Sequence, residues 1–471
     1  MTATRHTLAR LWQGLDLPPQ ALDRLTLVGG EAPLLPSSFA VATAAQASLA
    51  AAALAASELA PQHRAVQVDR VAAAQACSSH FLIDGMAPPM WDPLSGLYPC
   101  GADADQPGWV RLHANFAHHR DRALAVLGLP QGPHTPREVL TQALRRWPAE
   151  VVETAVATAG GVASALRSFE EWDAGPAARA VAAEPLVALT RIGDAPPRRW
   201  HGGGPTPLHG LRVLDLTRIL AGPVAARLLA DWGAEVLMLN GPRLPNIAAI
   251  ADLSRGKRSA LLDLDDPAGV AQLRALAAAG HVFLQAYRPG ALAARGLGPE
   301  ALAAVAPGIV CVSLAAWGHS GPWAGRRGFD SLVQTATGFN VAEAAAAGLG
   351  TPMALPVQIL DHAAGHLLAF GALAALRRQA LEGGSWLVQV SLARTGLWLR
   401  SLGQDAAGLA TVAPAPVLEV EDSGFGRLSS QPPAVAFDGR LLRGSQPAMP
   451  PGSHPAAWVG PGLQATVTAT A

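Results

Sequence analysis

The 471 residues hold only three cysteines, Cys77, Cys100 and Cys311. They are odd in number and widely spaced, with no CxxC pair and no Cys/His cluster at metal-ligand spacing. This argues against a disulfide framework or a zinc site and fits a reduced, cytoplasmic protein. Net charge is missing too: 35 basic residues balance 35 acidic ones. No global field therefore draws the chain to nucleic acid or to an anionic membrane, and neither is expected as a partner. Lysine is all but absent. Lys257 stands alone in a chain rich in Ala, Arg, Gly and Pro, and composition leaves open whether it survives by drift or because its site rejects arginine. The first 25 residues carry Arg5, Arg10, Asp16 and Asp23 and no unbroken apolar run, so they do not read as a signal peptide. The alanine-rich stretch 41–60 reads as a core helix, since alanine forms helices well and anchors poorly in lipid. No GxGxxG follows the first apolar strand of the central region, and GxxxxGK[ST] does not occur, so the usual dinucleotide and P-loop readings fail.

Half the residues are hydrophobic and mean hydropathy is +0.23, enough for a large core. Length sets a prior of about two to four domains. From Leu211 onward, short apolar runs (Arg212 to Leu216, Glu235 to Leu239, Ser259 to Leu264, His281 to Ala286, Ile309 to Leu314) alternate with helical patterns. This predicts an α/β domain, a Rossmann-like parallel sheet covered on both faces. Such sheets bind ligands at the carboxyl ends of their strands. Arg218, Arg288, Arg326 and Arg327 fall there; singly each reads as a solvated loop charge, together they suit a phosphate-bearing ligand. The expected organisation is an N-terminal region over 1–105, a smaller α+β domain over 106–200, the large domain over 207–400, and a Pro/Gly-rich segment over 401–471 that packs as an extended surface arm or is partly disordered. Gly202 to Gly204 lies in a linker and reads either as a flexible joint or as a covering loop.

Asp361 is the one carboxylate at the entry of a long apolar helix. Two readings stand: the N-cap of that helix, or a group kept for chemistry despite its burial. An internal echo bears on them. Residues 42–56, followed by Val66-Gln67-Val68-Asp69, run parallel to residues 361–375, followed by Val388-Gln389-Val390-Ser391. In this register Ala42 stands opposite Asp361.

The motifs LRVLDLTRILAGPVAARLLADWGAEV, SRGKRSALLDLDDPAG, YRPGALAARGLG, GFDSLVQTATG and LDHAAGHLLAFGALAALRRQ, in this order over roughly 190 residues from Leu208, resemble the class III CoA-transferases. The resemblance implies that Asp361 is the nucleophile of an acyl transfer between an acyl-CoA and a carboxylic acid. It implies that CoA, a substrate and not a resident cofactor, lies against Arg218, Ile219, Ala221, Lys257, Ala286, Tyr287 and Arg327, with no metal. It also implies a homodimer. Arg295 lies one residue out of register with a basic position. The order of domains departs from the family's, since the segment resembling the small domain (GWVRLHAN to EEW) precedes the large one, so the chain resembles a permuted or fused tandem with an eroded first copy. A non-catalytic CoA-binding or scaffold protein is one alternative. An acyl-CoA racemase is another, though Phe329 stands where that branch has a histidine; His362 and His366 are the candidates to replace it.

Overall fold

In the computed structural model, which describes residues 2–198, 204–459 and 469–470, six parallel strands form the centre of the large domain. They are Arg212–Leu216, Glu235–Asn240, Arg258–Leu261, Val282–Gln285, Val310–Ala315 and Ser385–Ser391. Numbered along the chain, they lie side by side in the order 3-2-1-4-5-6, the order of a Rossmann sheet. Their residues are apolar on both faces (Val213, Leu214, Val236, Leu237, Phe283 and Leu284 are all buried) because helices cover both sides of the sheet. The strand order reverses between Arg212–Leu216 and Val282–Gln285. A crevice opens beyond the carboxyl ends of these two strands, and the residues that follow them form its walls.

The helix Ile359–Glu382 is the spine of the core, buried at almost every position to Leu376. It is the one helix among the described residues long and apolar enough to cross a membrane, and its apolar window lies wholly inside the protein. Gly365 explains how close its neighbour can come. A Cβ there would sit 2.5 Å from the Ala221 carbonyl oxygen and 2.9 Å from Val224 Cβ, so the helix Ala221–Asp231 touches the spine through backbone. The alanine-rich helix Val41–Leu59 packs along the same spine. Trp12 stacks on Phe370 with ring centroids 5.9 Å apart, a contact worth about 0.5–1.5 kcal/mol beyond area burial.

The echo between the two long helices extends into structure. After Val41–Leu59 comes the strand Val66–Asp69, whose last residue, Asp69, caps the helix Arg70–Ala76 by accepting from Ala72 N–H. After the spine comes Ser385–Ser391, whose last residue, Ser391, caps Leu392–Ser401 by accepting from Arg394 N–H. Helix, strand, capping residue and second helix recur in the same order.

An antiparallel sheet of Gly96–Cys100, Gly108–Leu112 and Ala163–Ala165 carries three helices and its own apolar cluster, including Val110, Leu124, Leu140 and Val152. Two expectations need correction. The strand Ala188–Gly193, expected within the small domain, is the antiparallel edge strand of the main sheet, paired with Ser385–Ser391. The segment after Gly403 is neither a bare arm nor structureless among the described residues. Val435–Phe437 pairs with Val66–Asp69, and the hairpin Glu419–Ser423/Gly426–Ser430 pairs with Leu82–Ile83. Val435–Phe437 is only three residues long and the hairpin strands are mostly polar, which leaves little periodic signal. Gly202 and Gly203 lie outside the described residues.

Gly365→Ala drives a methyl group into the Ala221 carbonyl and should lower stability by about 1–3 kcal/mol through overpacking, read by urea denaturation. An unchanged midpoint and slope would mean that the two helices stand further apart than described.

Candidate active site

The crevice is a cavity of about 410 Å³. Arg218, Ile219, Leu220 and Ala221 line it from the loop after the first strand, and Ala286, Tyr287 and Arg288 from the loop after the fourth. Arg326 and Arg327 approach from the segment before the helix Asp330–Ala336, and Asp361 from the first turn of the spine. Seven of the eight residues proposed from the sequence thus meet at one cavity; Arg295 also lines it, engaged in an ion pair with Asp265 at 2.7 Å. Several of the other arginines are held in place by carbonyls: Arg218 donates to Pro245 O (2.6 Å) and Arg327 to Gly160 O (2.9 Å). Burial lowers the pKa of both, yet both stay charged at any ordinary pH. The result is a cationic rim around apolar walls.

Asp361 is not the cap of its helix. Gln358 holds that position without a side-chain bond, and Asp361 is the third helical residue. The cap comes from another element. Asp330 Oδ2 accepts from Asp361 N–H at 2.9 Å, Leu360 N–H also bonds to the Asp330 carboxylate, and Gln334 Nε2 donates to Oδ1 at 2.5 Å. Gln334 Oε1 in turn accepts from Leu355 N–H at 3.0 Å, fixing the chain that leads into the spine. Burial pushes Asp330 up to about 6, against the pull of these donors and of Arg111. Asp361, 8% exposed, is raised well above the ordinary carboxylate range, first by burial and then by the charge of Asp330. Among the described residues no side chain donates to its carboxylate.

Lys257 is the exception among the proposed contacts. Its side chain is 0% exposed and does not line the cavity. Nζ donates to Asp215 Oδ2 (2.8 Å) and to Pro223 O (3.0 Å), while Asp215 Oδ1 accepts from Thr217 N (2.9 Å) and Thr217 Oγ1 (2.5 Å). The expected contact with CoA is therefore corrected to a brace, which ties the end of the first strand to the start of the helix that follows it. The sequence shows a basic residue beside a ligand loop and cannot show on which side of the loop it lies.

His362 and His366 do not replace the missing racemase histidine. Both are buried, His362 Nε2 at 2.9 Å from Ser79 Oγ and His366 Nδ1 at 2.9 Å from Ser48 Oγ, and neither lines the cavity. Phe329 does line it, stacked on His113 with centroids 3.8 Å apart and planes at 7°. The sequence reading missed a third wall: Phe116, His118 and His119, from the segment after Gly108–Leu112, close the cavity from the small domain. The only signal was the local density of histidine in His113-Ala114-Asn115-Phe116-Ala117-His118-His119.

A Rossmann-ordered sheet whose switch point holds a desolvated carboxylate under a cationic rim is the class of site that the geometry defines. Among known proteins, residues 208–416 match the profile described as CoA-transferase family III. Over 200 residues the chain is 35% identical to a probable fatty acyl-CoA transferase of Mycobacterium tuberculosis, covering 40% of this chain and 50% of that protein. It is 36% identical to succinyl-CoA:glutarate CoA-transferase of Mus musculus over 194 residues, 38% of this chain and 44% of that one. It is 31% identical to an acyl-CoA transferase of Gibberella moniliformis over 310 residues, 61% and 54% respectively. A crystal structure of the mycobacterial protein aligns with a TM-score of 0.39 at 35% identity, covering 42% of this chain and 56% of that chain. The chain spans about half the length of the curated relatives it matches.

Two predictions follow from the buried charges. A carboxyl group whose folded pKa lies above its unfolded value takes up a proton on folding, so stability is greatest below the unfolded value and falls as pH rises through the raised one. Asp361→Asn should thus be more stable than the native protein at about pH 7–8, with the gap closing toward about pH 4; denaturation at several pH values measures it, and a gap independent of pH would contradict the raised value. Lys257→Met leaves Asp215 buried and unpaired and should cost about 3–5 kcal/mol. A loss under about 1 kcal/mol would show that water reaches Asp215.

Proposed function

We propose that the protein is an enzyme, a CoA-transferase that moves CoA from an acyl-CoA thioester to a carboxylic acid through covalent intermediates on Asp361. The observation that carries this reading is the carboxylate of Asp361, desolvated and without a side-chain donor among the described residues, on the wall of a cavity rimmed by arginines. The match of residues 208–416 to CoA-transferase family III supports it, as does the similarity to a probable fatty acyl-CoA transferase and to succinyl-CoA:glutarate CoA-transferase. CoA is a substrate here, and the reaction needs no resident cofactor.

The chemistry suits the electrostatics. An Asp361 oxygen attacks the thioester carbonyl carbon, the C–S bond breaks, and CoA thiolate leaves a mixed anhydride behind. The thiolate attacks the aspartyl carbonyl, which releases the first acid as its carboxylate and leaves an aspartyl-CoA thioester. The acceptor carboxylate attacks that carbonyl, CoA thiolate departs again, and a second anhydride forms. Attack of the thiolate on the acyl carbonyl of that anhydride yields the new acyl-CoA and restores Asp361. No net proton is taken up or lost. Forming the anhydride moves negative charge from a buried oxygen, where burial disfavours it, to a sulfur beside a cationic rim, so desolvation of the free carboxylate favours the step. The apolar walls formed by Ile219, Leu220 and Ala286 limit the water that would hydrolyse the anhydride.

Incubation with a panel of acyl-CoAs, quenching with hydroxylamine and peptide mass analysis should give a hydroxamate mass on the Asp361 peptide. Asp361→Ala should lower CoA exchange by on the order of 10³-fold or more and leave the Kd for CoA within about twofold. A protein that binds CoA but gives no adduct with any acyl-CoA would be a non-catalytic CoA-binding homologue; exchange retained by Asp361→Ala would rule out the aspartyl route.

A further inference from the structure

Resting on this reading, we propose that His119 is a catalytic residue of the same site, donating an imidazole N–H to the carbonyl oxygen of the acyl group while Asp361 attacks the carbon. His119 lines the cavity together with Asp361 and is 4% exposed. Among the described residues neither of its ring nitrogens has a hydrogen-bond partner. A buried imidazole left without partners on both nitrogens is disfavoured unless something else fills them, and His119 is one of the residues that line the cavity.

Its neighbours fix the ring without satisfying it. Phe116 meets it edge-on at 5.5 Å and 89°, Phe329 lies at 6.0 Å, and His118 at 4.1 Å. These contacts hold the orientation and supply no acceptor, which is what a preorganised donor requires. Burial pushes the imidazole down to about 3, helped by His118, Arg327, His113 and Arg122. The ring is therefore neutral at working pH, with one N–H to give and no positive charge to lose. A neutral imidazole that polarises a carbonyl fits a reaction with no net proton transfer. As the Asp361 oxygen bonds to carbon, the carbonyl electron pair moves onto oxygen and the N–H bond holds it there; when the C–S bond breaks the pair returns and the proton has stayed on nitrogen. Phe329 stands next to Asp330, which caps the helix of Asp361, so one short segment touches both the ring and the nucleophile's support. The donor is thus supplied by the small domain and the nucleophile by the large one.

The test is single-turnover acylation of Asp361, read as hydroxamate formation. His119→Phe keeps a ring and removes the donor; it should slow acylation by about 10²-fold while the Kd for CoA and the thermal midpoint change little. His119→Gln retains an amide donor and should recover about tenfold of that loss, a rescue that a packing role would not give. In the native protein labelled with ¹⁵N-histidine, the His119 imidazole signal, assigned by its loss in His119→Gln, should shift on adding a slow-reacting acyl-CoA and not on adding CoA alone. Native rates in His119→Phe, or an imidazole signal that acyl-CoA does not move, would overturn the proposal and leave transfer through Asp361 standing. Failure of the native protein to form any adduct would overturn both.

Discussion

The bond from Asp361 N–H to Asp330 is the interaction on which the site depends. A helix start leaves amide N–H groups without intrahelical partners, and a carboxylate in the first turn would ordinarily fold back to take them. Here Asp330, from a different helix, has taken that place. Two consequences follow. The N-terminus of a wholly buried helix is satisfied, and the Asp361 carboxylate is released from local hydrogen bonding toward the cavity. Asp330 gains donors that offset its own burial, whereas Asp361 gains none and feels the charge of Asp330 as well. The pair therefore divides the burden, one carboxylate structural and partly compensated, the other uncompensated on the cavity wall.

Everything around this pair restricts movement. Gln334 links Asp330 to the chain entering the spine. Gly365 lets the Ala221 loop lie against the spine one turn beyond Asp361. Lys257 ties the opposite end of that loop to Asp215 under the first strand. The cationic rim is thereby set on backbone that is itself fixed, as a site needs if its geometry is to hold without help from the ligand.

Much of this was legible in the sequence, because parallel strands buried on both faces leave unmistakable apolar runs and their loops follow in order. The strands from Arg212 to Ala315 lie within a few residues of where the apolar runs put them, and the cavity falls at the strand ends where such a sheet binds ligands. At the site, what failed failed for one reason: a sequence shows which residues are near in the chain, not which side of a loop they face. Lys257 sits beside a ligand loop and supports it from behind. His119 lies far before the first large-domain motif, which begins at Leu211, and reaches the cavity only through the packing of the small domain. Asp361 reads as a cap from local sequence because the competing cap, Asp330, lies 31 residues earlier.

The echo between the two long helices gives the most direct argument about Asp361. Both are buried, both lead to a strand whose last residue caps another helix, and they pack on each other. The first begins at Val41 behind Ala40, which offers no side-chain cap, and in the sequence register Ala42 stands opposite Asp361. The fold therefore builds this unit, starts its helix and buries it without a carboxylate at that position. In the second unit the carboxylate adds a desolvated charge beside a second acid, which opposes folding near neutral pH. A group that the architecture does without in one copy, and that weakens stability in the other, is accounted for by what it does at the cavity and not by what it holds together.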